Sequence, residues 1–183
     1  MIEATALALE ENGYLATGVN DITKLAKSPK GSLYFHFPGG KDELTALALE
    51  HSGKEMSLVF SEILKNNKNP SKAAALIFQA LEKRIVESNF KKGCPIAITA
   101  LESTTHPGIV SETCLKIYNE WIKGFETYLM LYGASLKKAN SIAVSLFSLW
   151  EGALLLAKLQ KSAEPLRLAK KTADLLIKNE FNE

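Results

Sequence analysis

Apolar side chains recur every three to four residues along most of the chain, and the polar residues between them fall on the opposite side of each segment. Clusters of glycine, proline and asparagine separate the segments, and no stretch shows the two-residue alternation of a convincing β-strand. The pattern predicts an all-α fold of about nine helices. The predicted segments are residues 2–12, 19–27, 29–38, 41–65, 71–88, 95–103, 109–132, 136–161 and 163–181.

Two short predicted helices follow each other closely near the N-terminus. The apolar stripe of the first consists of Val19, Ile22, Leu25 and Ala26. Ser28 is a good N-cap and Pro29 is favoured at the first position of a helix, so the second helix should begin here and end near Pro38. A helix, a tight turn and a second helix are typical of a helix-turn-helix.

The second of these helices has one face suited to a core and another suited to an outside surface. Leu33 and Phe37, four residues apart, should anchor it to the core. The side chains expected to point outward are Lys30, Ser32, Tyr34 and His36. Gly31 and Ser32 are poor helix formers, which is explained if this face must come very close to a surface. The alternative is a plain helical hairpin, which requires no such exposed cluster.

DNA is the surface that this chemistry fits. The free N–H groups at a helix start attract phosphate, and Lys30 and Lys41 add positive charge. Tyr34 and His36 can donate hydrogen bonds to phosphate oxygens. Ser32 or Lys30 can reach the edges of the bases in the major groove.

The segment resembles the recognition helix of TetR-family repressors. The similarity rests on Pro-Lys-Gly-Ser-Leu-Tyr-Phe-His-Phe-Pro at residues 29–38 and on Lys-Asp-Glu-Leu at residues 41–44. Gly13, Tyr14, Thr17, Asp21 and Ile22 also fit the family pattern. The order Pro-Lys-Gly-Ser and the glycine pair before Lys41 are closest to the LmrA/YxaF-like branch.

The resemblance implies an N-terminal three-helix helix-turn-helix head over residues 1–40 and a C-terminal helical bundle for effector binding and dimerisation over residues 41–183. It implies a homodimeric repressor that binds a near-palindromic operator in double-stranded DNA and is released by a small-molecule effector. The alternative is a helical ligand-binding dimer that no longer binds DNA. The residues expected to contact DNA are Thr17, Gly18, Pro29, Lys30, Gly31, Ser32, Tyr34, His36 and Lys41.

Three positions depart from the family pattern. The chain starts at Met1 within the first predicted helix, so we expect no basic N-terminal arm. Gly18 lacks the hydroxyl that often caps the next helix, which removes a phosphate contact. Lys27 stands where the family usually has a turn glycine, and we expect strain there.

Overall charge does not by itself indicate a nucleic-acid binder, because the formal net charge is only +2 at pH 7. Between Thr17 and Lys41, however, there are four lysines and one aspartate, so positive charge is concentrated at the motif. Because the net charge of the whole chain is so small, we expect only modest nonspecific affinity for DNA. A composition of 46% hydrophobic and 23% charged residues is that of a globular protein and excludes a disordered chain.

The sequence does not indicate an enzyme, a secreted protein or a membrane protein. It has no Gly-x-Ser-x-Gly elbow, and residues 39–42 lack the spacing and the hydroxyl residue of a P-loop. Cys94 and Cys114 do not form a metal-type pair, and we expect reduced, buried thiols in a cytoplasmic protein. The N-terminus is not a signal peptide. The apolar run over residues 142–157 is short for a membrane span and carries Glu151 near its centre.

One predicted helix carries an aromatic stripe made of Tyr118, Trp121, Phe125 and Tyr128. Such a stripe is often plain core, but its polar tips also suit a pocket for a flat, partly polar effector. The other residues expected in the pocket wall are Phe78, Ile98, Glu102 and Trp150. Glu102 is either an exposed or ion-paired group or the anchor of a cationic or hydroxyl-bearing ligand. Together with His106 it offers too few ligands for a metal, and we expect neither a metal nor a cofactor.

The helix over residues 136–161 is apolar nearly all round, so it must be covered on several sides. One side can face its own domain and another a partner, and the last helix adds a second apolar stripe. Two such helices from each subunit would form a four-helix interface. The residues expected in it are Leu146, Trp150, Ala153, Leu154, Ala157, Leu166, Ala169, Ala173 and Leu176. The alternative is a monomeric core without an interface.

Overall fold

The computed structural model describes residues 1–104 and 107–181, and within these residues the chain forms nine α-helices and no β-strand. The prediction of an all-α fold is confirmed. In chain order the helices are α1 (Ile2–Ala16), α2 (Val19–Leu25), α3 (Lys30–His36), α4 (Gly40–Asn66), α5 (Pro70–Glu87), α6 (Pro95–Ser103), α7 (Ile109–Leu131), α8 (Leu136–Gln160) and α9 (Glu164–Phe181).

The chain divides into two compact units. The first, which we call the head, comprises Met1–Met56 and Cys94–Tyr118, and the second, the body, comprises Ser57–Gly93 and Asn119–Glu183. The long helices α4 and α7 contribute residues to both units. This division does not coincide with the predicted boundary at residue 40, because α6 packs along α1 and so joins the head.

The head core contains one fully buried side chain from each of three consecutive helices, Ile22 of α2, Leu33 of α3 and Leu44 of α4. Around them pack Met1, Ile2, Val19 and Phe37. Each fully buried Leu or Ile stabilises the fold by about 2 kcal/mol. The predicted anchoring of α3 by Leu33 and Phe37 is confirmed. Leu25, the last residue of α2, is 52% exposed, so its placement on the buried stripe was wrong.

Helix α1 is broken at Gly13, where φ is 82° and ψ is 179°. Glycine alone adopts such a backbone without strain. A Cβ at this position would lie 2.8 Å from Cγ2 of Ile98 and 2.9 Å from Oε1 of Glu102, so α6 also packs too closely to admit a side chain. The predicted end of the first helix at Gly13 is thus observed as a break, after which residues 14–16 form one more turn.

Aromatic side chains fill the centre of the body. The ring of Phe60 in α4 lies edge-on to four other rings, at centroid distances from 5.1 Å for Trp150 to 6.4 Å for Phe147. Trp121 stacks on Trp150 at 5.5 Å. Each such pair adds about 1 kcal/mol beyond the burial of its area. The centre of the body is therefore an aromatic core.

Helix α8 is long and apolar enough, by length and composition alone, to cross a membrane. One side of it is nevertheless buried within the body, including Ile142, Leu146 and Trp150. A core helix of a globular protein has the same composition.

Candidate nucleic-acid interface

A tight turn joins α2 to α3. At the start of α2, Oδ2 of Asp21 accepts a hydrogen bond from the N–H of Gly18 at 3.2 Å. After α2, Lys27 adopts a φ of 50°, which costs a residue other than glycine about 1 kcal/mol. The N–H of Ser28 then donates to the Thr23 carbonyl at 3.0 Å. The strain predicted at Lys27 is confirmed.

Helix α3 begins one residue later than the sequence suggested. Pro29 is its N-cap, with a φ of −61° and a ψ of 149°, and Lys30 is its first residue. The Ser28 hydroxyl donates to the carbonyl of Ala26 at 3.1 Å and does not cap the helix. The prediction of Ser28 as the N-cap was therefore wrong.

The side of α3 away from the core is open to solvent. Lys30, Gly31 and His36 are exposed, Tyr34 is 51% exposed, and Ser32 is half-buried. A Cβ at Gly31 would meet no heavy atom within 4 Å, so the fold itself does not require glycine there. The missing side chain instead leaves room for an outside surface, which supports the expected close approach of DNA.

Phe35 is an outward-facing residue of α3 that sequence reasoning missed. Its side chain is 80% exposed, and its ring lies edge-on to that of His36 at a centroid distance of 5.0 Å. A signal was available in the sequence, because at 100° per residue Phe35 lies about 200° around the helix from Leu33.

Lys41, expected to bind DNA phosphate, is instead engaged within the head. Its Nζ donates to the backbone carbonyl of Tyr14 at 2.7 Å and lies 4.0 Å from the centre of the Tyr14 ring. Burial lowers the pKa of Lys41, against the opposing effect of Asp42 and Glu102. The hydroxyl of Tyr14 donates to Oδ1 of Asp42 at 2.6 Å. Lys41 therefore fastens the start of α4 to the end of α1, and its contact with DNA phosphate stays a prediction.

Thr17 is also turned inward. It is buried, and its hydroxyl donates to the carbonyl of Gly13 at 2.6 Å. The side chain thus satisfies the backbone at the break in α1 and does not reach an outside phosphate, which corrects the prediction. At Gly18 the backbone N–H is taken by Asp21, so this residue serves as the N-cap of α2.

Glu102, expected to anchor an effector, caps a helical turn of the head. Its Oε2 accepts hydrogen bonds from the N–H groups of Tyr14 and Leu15, so the carboxylate already has its partners. Ile98 packs against the break at Gly13. Tyr118 belongs to the head, where its hydroxyl lies 3.8 Å from Sγ of Cys94. These three residues make structural contacts in the head, and their role in an effector pocket stays a prediction.

The remaining predicted effector residues belong to the body. Nε1 of Trp121 donates to Oγ of Ser57 at 2.9 Å, and the Tyr128 hydroxyl donates to the Asn67 carbonyl at 2.7 Å. Burial raises the pKa of Tyr128 to about 12. The polar tips that suggested a ligand are thus satisfied by the protein itself.

Two spaces adjoin these aromatic residues. Phe78, Phe125 and Trp150 line an internal void of about 10 Å³, which is the volume of at most one water molecule. A larger open groove of about 550 Å³ lies between the second halves of α4 and α7, and its walls include Trp121, Phe125 and Tyr128. The groove has room for a small molecule, whereas this void does not.

Most of the predicted interface residues of α8 and α9 are buried within the single chain. Buried within the single chain are Leu146, Trp150, Ala153, Leu154, Ala157, Leu166, Ala169 and Ala173, and Leu176 is half-buried. Leu146, Trp150 and Leu154 are enclosed within the single chain, whereas Ala153 and Ala169 line the outer groove between α8 and α9, so the predicted interface as a whole stays a prediction. The exposed apolar residues of the two helices lie on the other side and include Leu155, Leu156, Leu159, Leu168 and Leu175.

Both cysteines are buried free thiols, as expected, and burial raises the pKa of Cys114 to about 11. Among the residues that the structure describes, no group of three or more His, Cys, Asp or Glu side chains is placed to hold a metal ion. His106 lies outside the described residues.

Comparison with known proteins independently supports the assignment of α2 and α3 as a DNA-binding helix-turn-helix. Residues 1–47 match the model for bacterial regulatory proteins of the tetR family, and residues 70–172 match the C-terminal domain of LmrA/YxaF-like transcriptional regulators. The HTH-type transcriptional regulators YxaF and LmrA of Bacillus subtilis (strain 168) are 30% and 27% identical to the chain. Each alignment covers 91% of this chain, and 87% of YxaF or 88% of LmrA. A TetR transcriptional regulator from Legionella pneumophila superposes with a TM-score of 0.85 at 22% identity, over 95% of this chain and 93% of that one.

Proposed function

Because the chain belongs to the TetR family of bacterial regulatory proteins, in its LmrA/YxaF-like branch, we propose that it is a homodimeric cytoplasmic repressor released from a near-palindromic operator by a small molecule. Its family makes it a transcriptional regulator with a DNA-binding helix-turn-helix, and not an enzyme. The observation that carries the proposal is the exposed face of α3, which Leu33 holds outward from the head core.

The outer face of α8 and α9 supports a dimer. The two helices border a groove of about 440 Å³, where Leu156 and Leu168 expose apolar surface. Gly152 lies in the middle of α8, where glycine costs about 1 kcal/mol relative to alanine. A Cβ there would meet no heavy atom within 4 Å, so packing within the chain does not require glycine. Close approach of a partner helix across a twofold axis would explain its presence.

Sedimentation equilibrium tests this dimer. We expect the wild-type protein to sediment as a dimer, and Leu156→Glu and Leu168→Glu to sediment as folded monomers. Leu101→Glu, at an exposed leucine of the head, is the matched control and should remain dimeric. A wild-type monomer, or variants that keep the dimer, would contradict the assignment.

A twofold dimer presents two copies of α3, so its operator should contain two inverted half-sites. Repeated selection of duplexes from a random-sequence library gives the consensus directly. An inverted repeat is expected, and a single site or a direct repeat would contradict the symmetry. A reporter gene behind the selected duplex should be expressed less in the presence of the protein, and increased expression would indicate an activator.

The groove between α4 and α7 is the proposed effector site. Its aromatic wall suits a flat, mainly apolar molecule, and Ser57, Ser61 and Glu120 add polar groups. The helix that forms one wall, α4, also carries Leu44 of the head core. A molecule that binds one conformation of α4 more tightly than another would therefore shift the population of head conformations. The difference between its two affinities sets the size of the shift.

Gly124 provides the variant that tests this site. It is exposed in the groove, and a Cβ there would meet no heavy atom within 4 Å. Gly124→Leu should fill the groove without disturbing the fold and abolish the blue-shifted fluorescence of the flat apolar dye Nile red. Gly108→Leu, at another glycine where a Cβ would meet no heavy atom within 4 Å and which lies outside the groove, is the control and should keep dye binding. Unaltered dye binding by Gly124→Leu would exclude the groove.

The release step needs a separate measurement. Compounds that displace Nile red are added to the complex of the protein with fluorescein-labelled operator. We expect some of them to lower the fluorescence anisotropy of the complex with wild-type protein and to have no effect on the complex with Gly124→Leu. If displacing compounds leave operator binding unchanged in both proteins, the groove does not control release.

A further inference from the structure

Phe35 has no packing role that explains its presence on α3. Its side chain is more exposed than any other large apolar side chain in the described part of the chain, and its ring meets the edge of His36. Phenylalanine is only a moderate helix former, and apolar surface in water is unfavourable. Because this exposed ring lies on the outer face of the second helix of the helix-turn-helix, contact with a surface outside the chain accounts for its position.

Phe35 lies on the side of α3 that is farthest from the head core. At 100° per residue it is about 200° around the helix from both anchoring residues, Leu33 and Phe37. Gly31 lies one turn earlier on nearly the same side and leaves the space beside the ring empty. Since the second helix of a helix-turn-helix lies in the major groove, the surface that Phe35 meets first is formed by the edges of the bases.

A phenyl ring carries no hydrogen-bond donor or acceptor, so it cannot read the polar pattern of the base edges. The apolar group in the major groove is the C5-methyl group of thymine. We infer that Phe35 is a specificity-determining residue that recognises the C5-methyl group of a thymine in the operator. This assignment rests on the DNA-binding function of the head and adds the identity of one base.

Replacement of thymine by deoxyuridine tests the assignment, because it removes this methyl group alone and keeps base pairing. The probe is a fluorescein-labelled duplex selected by the wild-type protein from a random-sequence library. In a series of duplexes, one thymine at a time is replaced. At one position of a half-site the affinity should fall about fourfold, as expected for one methyl-sized apolar group left unburied. At the other thymines it should not change.

The Phe35→Ala variant closes a double-mutant cycle with the sensitive base. It should bind the thymine duplex at least about fourfold more weakly than wild type and should bind the thymine and deoxyuridine duplexes equally. Phe35→Leu, which keeps an apolar side chain, should retain part of the discrimination. Leu115→Ala, at an exposed leucine of α7, is the control and should discriminate as wild type does. Equal melting temperatures establish that every variant is folded.

Three results would overturn the assignment. These are a selected consensus without a required thymine, a deoxyuridine series without a sensitive position, and a Phe35→Ala protein that still distinguishes the two duplexes. In each of these cases the protein still binds its selected duplex more tightly than a scrambled duplex. Failure of DNA binding itself would appear differently, as equal affinity of the wild-type protein for the selected and a scrambled duplex.

Discussion

Glu102 in α6 accepts a hydrogen bond from the backbone N–H of Tyr14 at a distance of 2.6 Å, across 88 positions of the chain. The same carboxylate oxygen accepts the N–H of Leu15 at 2.9 Å. These N–H groups begin the turn of α1 that follows the break at Gly13, and helix starts require such acceptors. Helix α6 thereby fixes the direction in which the chain leaves α1 for the helix-turn-helix.

Glu102→Ala should lower the free energy of unfolding by about 2 kcal/mol, because hydrogen bonds to a charged group are lost. Glu102→Gln, which keeps one acceptor oxygen, should lose less. Urea denaturation gives both values. The control is Glu62→Ala on the exposed side of α4, expected to change stability by no more than about 0.5 kcal/mol. If Glu102→Ala matches this control, the carboxylate is not a structural cap.

The contact between Tyr14 and Asp42 should make stability depend on pH in alkaline solution. Burial, the hydrogen bond to Asp42 and the charge of Asp42 raise the pKa of Tyr14 from 10.0 to about 12. The neutral hydroxyl is therefore favoured in the folded state, and its stabilising effect is complete below pH 10 and is lost as the pH rises to 12.

Tyr14→Phe isolates this effect. The difference in free energy of unfolding between wild type and variant should shrink by about 1 kcal/mol between pH 10 and 12, a value that allows for solvent screening at this partly exposed site. Groups that do not contact Tyr14 contribute equally to both proteins and cancel in the difference. Urea denaturation at a series of pH values measures the difference. A difference that stays constant across this window would show that the hydroxyl is not held by Asp42.

Lys27→Asn should stabilise the head. Lys27 has a φ of 50°, and asparagine tolerates the left-handed region better than lysine does, without the chain entropy of glycine. We expect the free energy of unfolding to rise by about 0.5 kcal/mol. Lys24→Asn, in the helical backbone of α2, is the comparison and should be neutral or destabilising. If Lys24→Asn stabilises the protein and Lys27→Asn does not, the backbone at Lys27 is not strained.

The two tryptophans of the body should respond differently to replacement by phenylalanine. Nε1 of Trp150 is buried without a partner, whereas Nε1 of Trp121 donates to Ser57. Both replacements leave a cavity where the larger ring lay. Trp150→Phe removes an unsatisfied donor, which offsets part of this cost, whereas Trp121→Phe loses a hydrogen bond in addition to it. Trp121→Phe should be more destabilising by at least about 1 kcal/mol. Thermal denaturation that ranks them in the opposite order would contradict this difference.

Sequence patterns predicted the features that depend on neighbouring residues. The helix segments, the break at Gly13, the inward anchoring of Leu33 and the strained turn at Lys27 all follow from local periodicity or backbone preference. Side-chain partners that are distant in sequence do not. Lys41 pairs with Tyr14 across 27 positions, and nothing in either segment distinguishes this lysine from one that is free to bind phosphate.

The outer face of α8 shows a second limit. Because the helix is apolar nearly all round, its hydrophobic period does not reveal which side packs inward. Leu146 and Trp150 were assigned to the interface, yet they lie in the core, while Leu156 is exposed. The error is one of helical phase, and burial within a folded chain is required to resolve it.

The most direct test of the role of α3 is a fluorescence anisotropy titration of labelled selected duplex with Lys30→Ala and Tyr34→Ala, at two salt concentrations and beside a scrambled duplex. Each variant should bind the selected duplex about tenfold more weakly than wild type and should remain a folded dimer. Lys54→Ala, which removes an exposed lysine of α4, should bind as wild type does. Unchanged affinity in both α3 variants would mean that this helix does not read the operator.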